Sequence, residues 1–120
     1  MTQVLLVEDR ETLKNLFSEL IYNFWDSEES LKVDVCSFNK LEEFVKKGNY
    51  QTLILNISSS NSGDNFKIVS SLVEKGFFEN QKLIISSVNR PPEIEAIKGV
   101  EIHYCSEDRF VSECLPRMNQ

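Results

Sequence analysis

Glu8 and Asp9 stand side by side after a short apolar run, and Asn56 ends a second such run inside the stretch TLILNISSSNSGDNF. Ser87 ends a third, and Cys105 and Ser106 close a fourth. Paired carboxylates suit either a hard cation or the unpaired amides at a helix start. The helix-start role, or plain solvation, is the more common and is the expectation for Glu8 and Asp9. Asn56 differs in kind, because a neutral carboxamide oxygen is a poor nucleophile where a carboxylate would be a good one.

Other reactive groups are sparse. Cys36, Cys105 and Cys114 form no Cys-x-x-Cys pair and leave one over, which favours reduced thiols over a disulfide framework. Cys105 has no adjacent Lys or Arg to activate its thiol, so a redox role is not the expectation. His103 is the single histidine and has no companion ligand nearby, which argues against zinc. The segment VEDRETL offers acids where a phosphate cradle needs glycines and free amides, which argues against a flavin or nucleotide site.

Strands and helices must deliver these groups. Residues 3–7, QVLLV, read as a strand covered on both faces. Leu13, Leu16, Phe17, Leu20, Ile21 and Phe24 then recur at the steps of an amphipathic helix. Residues 26–30 form an acidic loop and 32–38 a second strand. Asn39 is placed to cap a helix carrying Leu41, Phe44 and Val45, with Gly48 near its end. A third strand spans 52–57 and a loop 58–63, and Asp64 caps a helix that Gly76 stops. A fourth strand covers 82–88, and Pro91 and Pro92 open a short helix with Ile94 and Ile97. Gly99 leads into a fifth strand over 101–105, and 106–118 read as a terminal helix with Phe110, Val111, Cys114 and Leu115 inward. Trp25, Tyr50, Phe77 and Phe78 fall outside the stripes, as core caps or as interface anchors.

Five strand and helix alternations in 120 residues predict one doubly wound α/β domain, a five-stranded parallel sheet with helices on both faces. Ligands of such folds sit beyond the carboxyl ends of the strands, where Glu8, Asn56, Ser87 and Cys105 stand. The net charge of −6, from 19 acids and 13 scattered bases, argues against direct contact with nucleic acid. No apolar run approaches the roughly 18 residues a membrane span needs, and no leader precedes the first strand, so a cytoplasmic location is expected.

Together the motif VLLVEDRE, the residues at the strand ends and the alternation resemble the receiver domains of two-component response regulators over essentially the whole chain. That resemblance implies the flavodoxin-like (βα)5 fold and a place in a bacterial-type signalling pathway. In the family an acid pair after the first strand helps to hold Mg²⁺, and an aspartate ending the third strand accepts the phosphoryl group. A Ser or Thr ends the fourth strand, and a Lys followed by Pro ends the fifth. Glu8 and Asp9 match the acid pair, Ser87 matches the hydroxyl, and Ser58 matches the residue that offers a backbone carbonyl to the metal. Asn56 stands at the phosphoacceptor position, and the place of the lysine falls on Cys105 or Ser106, with no proline after it. The loop SSSNSGD also lacks the usual proline, and its glycine sits one place early.

The matches and departures together imply a degenerate form, a pseudo-receiver. Its pocket of Asn56, Ser87, Cys105 and Ser106 would carry no phosphoryl chemistry and no catalytic residue. Glu8, Asp9 and Ser58 would be a vestigial metal site, with magnesium weak or absent and no other cofactor. Partners would be proteins, met through a surface over 91–98, 101–105 and 106–117 that presents Glu101, Tyr104, Glu107 and Arg109. The competing expectation is a phosphoaccepting receiver in a phosphorelay, inactivated by an engineered Asn56 or using Asp64 or a serine within 58–60 as acceptor. Residues 1–120 are read as a single receiver-like domain, a whole protein or the first domain of a longer one, of open oligomeric state.

Overall fold

The computed structural model describes residues 1–58, 62–88 and 100–119, with the backbone alone at Ser62. Its strands are β1 (Thr2–Glu8), β2 (Leu31–Cys36), β3 (Thr52–Ile57), β4 (Lys82–Ser87) and β5 (Glu101–Ser106). All pair in parallel in the order β2-β1-β3-β4-β5. Among the described residues three α-helices lie between them, α1 (Glu11–Phe24), α2 (Leu41–Lys47) and α3 (Ser62–Glu74). The segment expected to hold a fourth helix, with Pro91, Pro92, Ile94 and Ile97, and the turn at Gly99 lie outside the described residues.

Position in the sheet explains the hydrophobic pattern. Central strands are covered on both faces and need apolar side chains in both directions, which is why β3 is buried at every residue. Edge strands β2 and β5 keep partly exposed residues. The pleat sends Leu5, Val7, Leu53, Leu55, Leu83 and Ile85 into one core with residues of α2 and α3. Val4, Leu6, Ile54 and Ile84 enter the opposite core with α1 and the C-terminal segment. There the rings of Phe17 and Phe110 meet at 4.6 Å between centroids.

Several local expectations change. Asn39 caps nothing: it lies inside a 3₁₀ turn, Phe38–Lys40, which precedes α2. Asp64 sits within the first turn of α3, where its charge still complements the helix dipole. The terminal segment is a 3₁₀ turn (Glu107–Arg109), a π-helical turn (Phe110–Cys114) and another 3₁₀ turn (Leu115–Asn119). Val111 is accordingly exposed, and Met118 takes an inward place beside Phe110, Cys114 and Leu115. Tyr50 and Phe78 are core residues rather than interface anchors, and Trp25 and Phe77 pack against the two cores. On the β2 edge, the Val33 N–H donates to the Tyr22 hydroxyl of α1 at 2.9 Å.

Two glycines have separate reasons. Gly76 takes a φ of 80° as α3 ends, with its N–H bonded to the Val73 carbonyl and the Phe77 N–H to the Leu72 carbonyl. That pair of bonds is a left-handed helix stop. Gly48 has ordinary backbone, but a Cβ there would lie 2.2 Å from the Tyr50 ring, whose hydroxyl donates to Asp34 at 2.6 Å. Gly48→Ala is therefore expected to cost about 1–3 kcal/mol through overpacking, read as a lower urea midpoint at unchanged slope. An unchanged midpoint would show that the ring moves aside freely.

Candidate functional site

Helices α1 and α3, which follow the neighbouring strands β1 and β3, leave for opposite faces of the sheet. The strand order therefore reverses between them, and a crevice opens at their carboxyl ends. Register sets one row of side chains across its floor: Glu8 opposite Asn56, Asn56 opposite Ser86, and Ser86 opposite Cys105. Glu8, Asn56 and Ser86 are wholly buried, and Cys105 nearly so. The Ser86 hydroxyl donates to Asn56 Oδ1, while Asn56 Nδ2 has no partner among the described residues.

The four residues expected in the pocket thus divide. Asn56 and Cys105 share this row, whereas Ser87 and Ser106 pair in the next one, which the pleat turns toward the α2 and α3 side. Ser86, not Ser87, is the hydroxyl that touches Asn56. Counting the two-residue period back from the strand ends is the signal that identifies it. Ser58, just past β3, is buried.

The residue that organises the crevice is Arg10, which sequence reasoning passed over. Its Nη2 donates to Glu8 Oε1 at 2.8 Å and its Nε to Glu8 Oε2 at 3.0 Å, so the guanidinium grips the buried carboxylate through two bonds. Its backbone N–H adds a third at 2.9 Å. Nη2 also meets Glu107 Oε1 at 2.6 Å, tying β1 to the C-terminal segment. The Glu8 hydrogen bond, ahead of the opposing effect of burial, raises the Arg10 pKa above its ordinary value, so the cation is permanent.

Asp9 is committed as well. Its Oδ1 accepts the Phe38 N–H at 2.9 Å, one of the unpaired amides at the turn before α2, and its Oδ2 accepts from Asn65 Nδ2 of α3 at 3.1 Å. Neither acid caps α1 in the expected way: Arg10 is the N-cap residue, and its side chain makes no capping bond. Glu8 and Asp9 face a fixed guanidinium and protein N–H donors where a metal site would present free oxygens. Among the described residues no cluster of three His, Cys, Asp or Glu side chains is arranged for a metal.

On the surface expected to meet partners, Glu101 and Arg109 are exposed and Tyr104 is half-buried. Arg109 pairs with Glu113 at 3.1 Å, and Glu101 with His103 at 2.9 Å and Lys82 at 3.8 Å. Glu107 turns inward to Arg10 and belongs to the crevice more than to that face. Residues 91–98 lie outside the described residues, as do 59 and 60 among the alternative acceptors. Asp64 is exposed on α3.

Solved structures share this architecture. A DNA-binding response regulator of the LuxR family from Staphylococcus aureus superposes with a TM-score of 0.70 at 18% identity, over 99% of this chain and 97% of that one. A CheY-like response regulator receiver domain protein from Methanospirillum hungatei JF-1 gives 0.69 at 12% identity, over 98% and 94%. RSP, a Rex-family repressor, gives 0.56 at 10% identity, over 99% of this chain and 59% of that one. No family model and no curated protein matches the chain. At such identities the likeness establishes the receiver-type fold and leaves the chemistry to the residues in the crevice.

Removing the guanidinium leaves a wholly buried carboxylate without its counter-charge. Arg10→Ala is expected to cost about 3 kcal/mol, the lower end for breaking a buried pair because the guanidinium is itself partly exposed. Adding Glu8→Gln to it should recover most of that loss, as measured by chemical denaturation. A single variant as stable as the parent would show that the pair is not needed.

Proposed function

We propose that this chain is a receiver-like signalling module that works through protein contacts and performs no phosphoryl transfer. One observation carries the reading: the crevice where a receiver would gather a metal and a phosphoryl group holds the Arg10 guanidinium on Glu8, next to a neutral Asn56. A cation built into the chain fills the electrostatic role of a divalent ion without its open coordination positions. The carboxamide cannot form an acyl phosphate, and no lysine stands at the end of β5 to meet phosphoryl oxygens.

The acidic surface and the receiver-type fold support protein partners in a bacterial-type two-component setting, in an intracellular compartment. The exposed parts of β5 and of the C-terminal segment, around Glu101, Tyr104 and Arg109, are the surface assigned to them. In this reading the module is bound by its partner in the one conformation that the Glu8, Arg10 and Glu107 bridge maintains.

Amide NMR spectra recorded during titration with Mg²⁺ and beryllofluoride should stay unchanged around Glu8, Asp9 and Asn56. Intact mass after incubation with acetyl phosphate and Mg²⁺ should show no phosphoryl group on the parent or on Asn56→Asp, because Arg10 still occupies the crevice. A phosphoryl adduct on either protein, or shifts spreading from the crevice into the C-terminal segment, would establish the phosphoaccepting reading instead.

A further inference from the structure

Two of the three thiols meet in one core. Cys105 stands near the end of β5 and Cys114 in the π-helical turn laid over it, and both belong to the buried cluster shared with Phe17, Phe110 and Leu115. Cys114 Sγ lies 3.9 Å from the carbonyl oxygen of Ser106, the residue that follows Cys105 on β5. Cys36 lies in the opposite core, across the sheet. We propose that Cys105 and Cys114 are a dithiol that a peroxide converts to a disulfide, fastening the C-terminal segment to β5.

The environment separates the roles of the two sulfurs. The Cys114 side chain lowers the Cys105 pKa against the opposing effect of burial, and the charge of Arg117 acts in the same direction. The Cys105 side chain and burial push Cys114 up, so it keeps its proton. Cys36 is pushed up to about 12, by burial first, and is the inert internal control. Cys105 thiolate attacks one peroxide oxygen, the O–O bond breaks, and the hydroxide released takes up a proton to leave as water. The sulfenic acid formed is then attacked by Cys114 sulfur, and its hydroxyl departs as water with the Cys114 proton. Two thiols have lost two protons and two electrons, and one peroxide has become two waters.

Access comes from the irregular cover. Hydrogen bonds of 3₁₀ and π turns are poorer than those of an α-helix, so the segment over Cys105 opens more readily than the rest of the core. The assignment does not depend on the interaction reading above.

The full chain would be treated with hydrogen peroxide under native conditions, alkylated, and mapped by mass spectrometry without reduction. The expected result is a loss of about 2 Da, a cross-linked peptide joining positions 105 and 114, and Cys36 alkylated only after unfolding. Cys36→Ser should form the same cross-link, and Cys114→Ser should leave a sulfenic acid at Cys105 that dimedone traps. Oxygen added at Cys36 ahead of Cys105, or no cross-link from the native protein at peroxide concentrations that oxidise the unfolded chain, would overturn the proposal.

Discussion

A carboxylate with no exposure to water needs a counter-charge, and much of the crevice follows from how this chain supplies one to Glu8. The ion is at the carboxyl end of a central strand, where the fold's topology opens a recess between β1 and β3. Arg10 is close enough in sequence to reach back, and its planar fork matches both carboxylate oxygens. Because Nη2 also holds Glu107, the same side chain fixes where the C-terminal segment begins. Asp9, the next residue, ties the start of α2 and the flank of α3 to the same strand end.

The sheet was legible because its signal is strong. Apolar runs of five or six residues are too short for helices and read as strands covered on both faces, and β3 occupies the expected 52–57. The crevice was half legible. Asn56 and the acid pair could be placed from the strand ends, but the engagement of Arg10 depends on a side chain doubling back two residues, which leaves no periodic trace. Ser86 against Ser87 turned on one step of a two-residue period, where a difference of one place exchanges the faces of the sheet.

The ends of helices were the least legible part. Asn39 looks like a cap by residue type, yet a 3₁₀ turn begins at Phe38, and the amide there is satisfied by Asp9, just past the end of β1. The terminal segment carries the apolar spacing of an α-helix, but its turns are 3₁₀ and π. The shifted turn exposes Val111 and buries Met118. Gly48 reads from the sequence as a stop near a helix end, whereas its backbone is ordinary and its value is the missing side chain beside the Tyr50 ring.

The hydroxyl of Tyr22 on the outward N–H of Val33 has a bearing on how this protein meets others. An edge strand with free amides is a template to which a foreign strand can add itself, and proteins commonly blunt such edges. On β2 a donor in the middle of that template is already occupied by a ring standing out from α1. Strand addition at that margin, whether by a partner's extended segment or by a second copy on the way to fibres, would first have to dislodge a tyrosine.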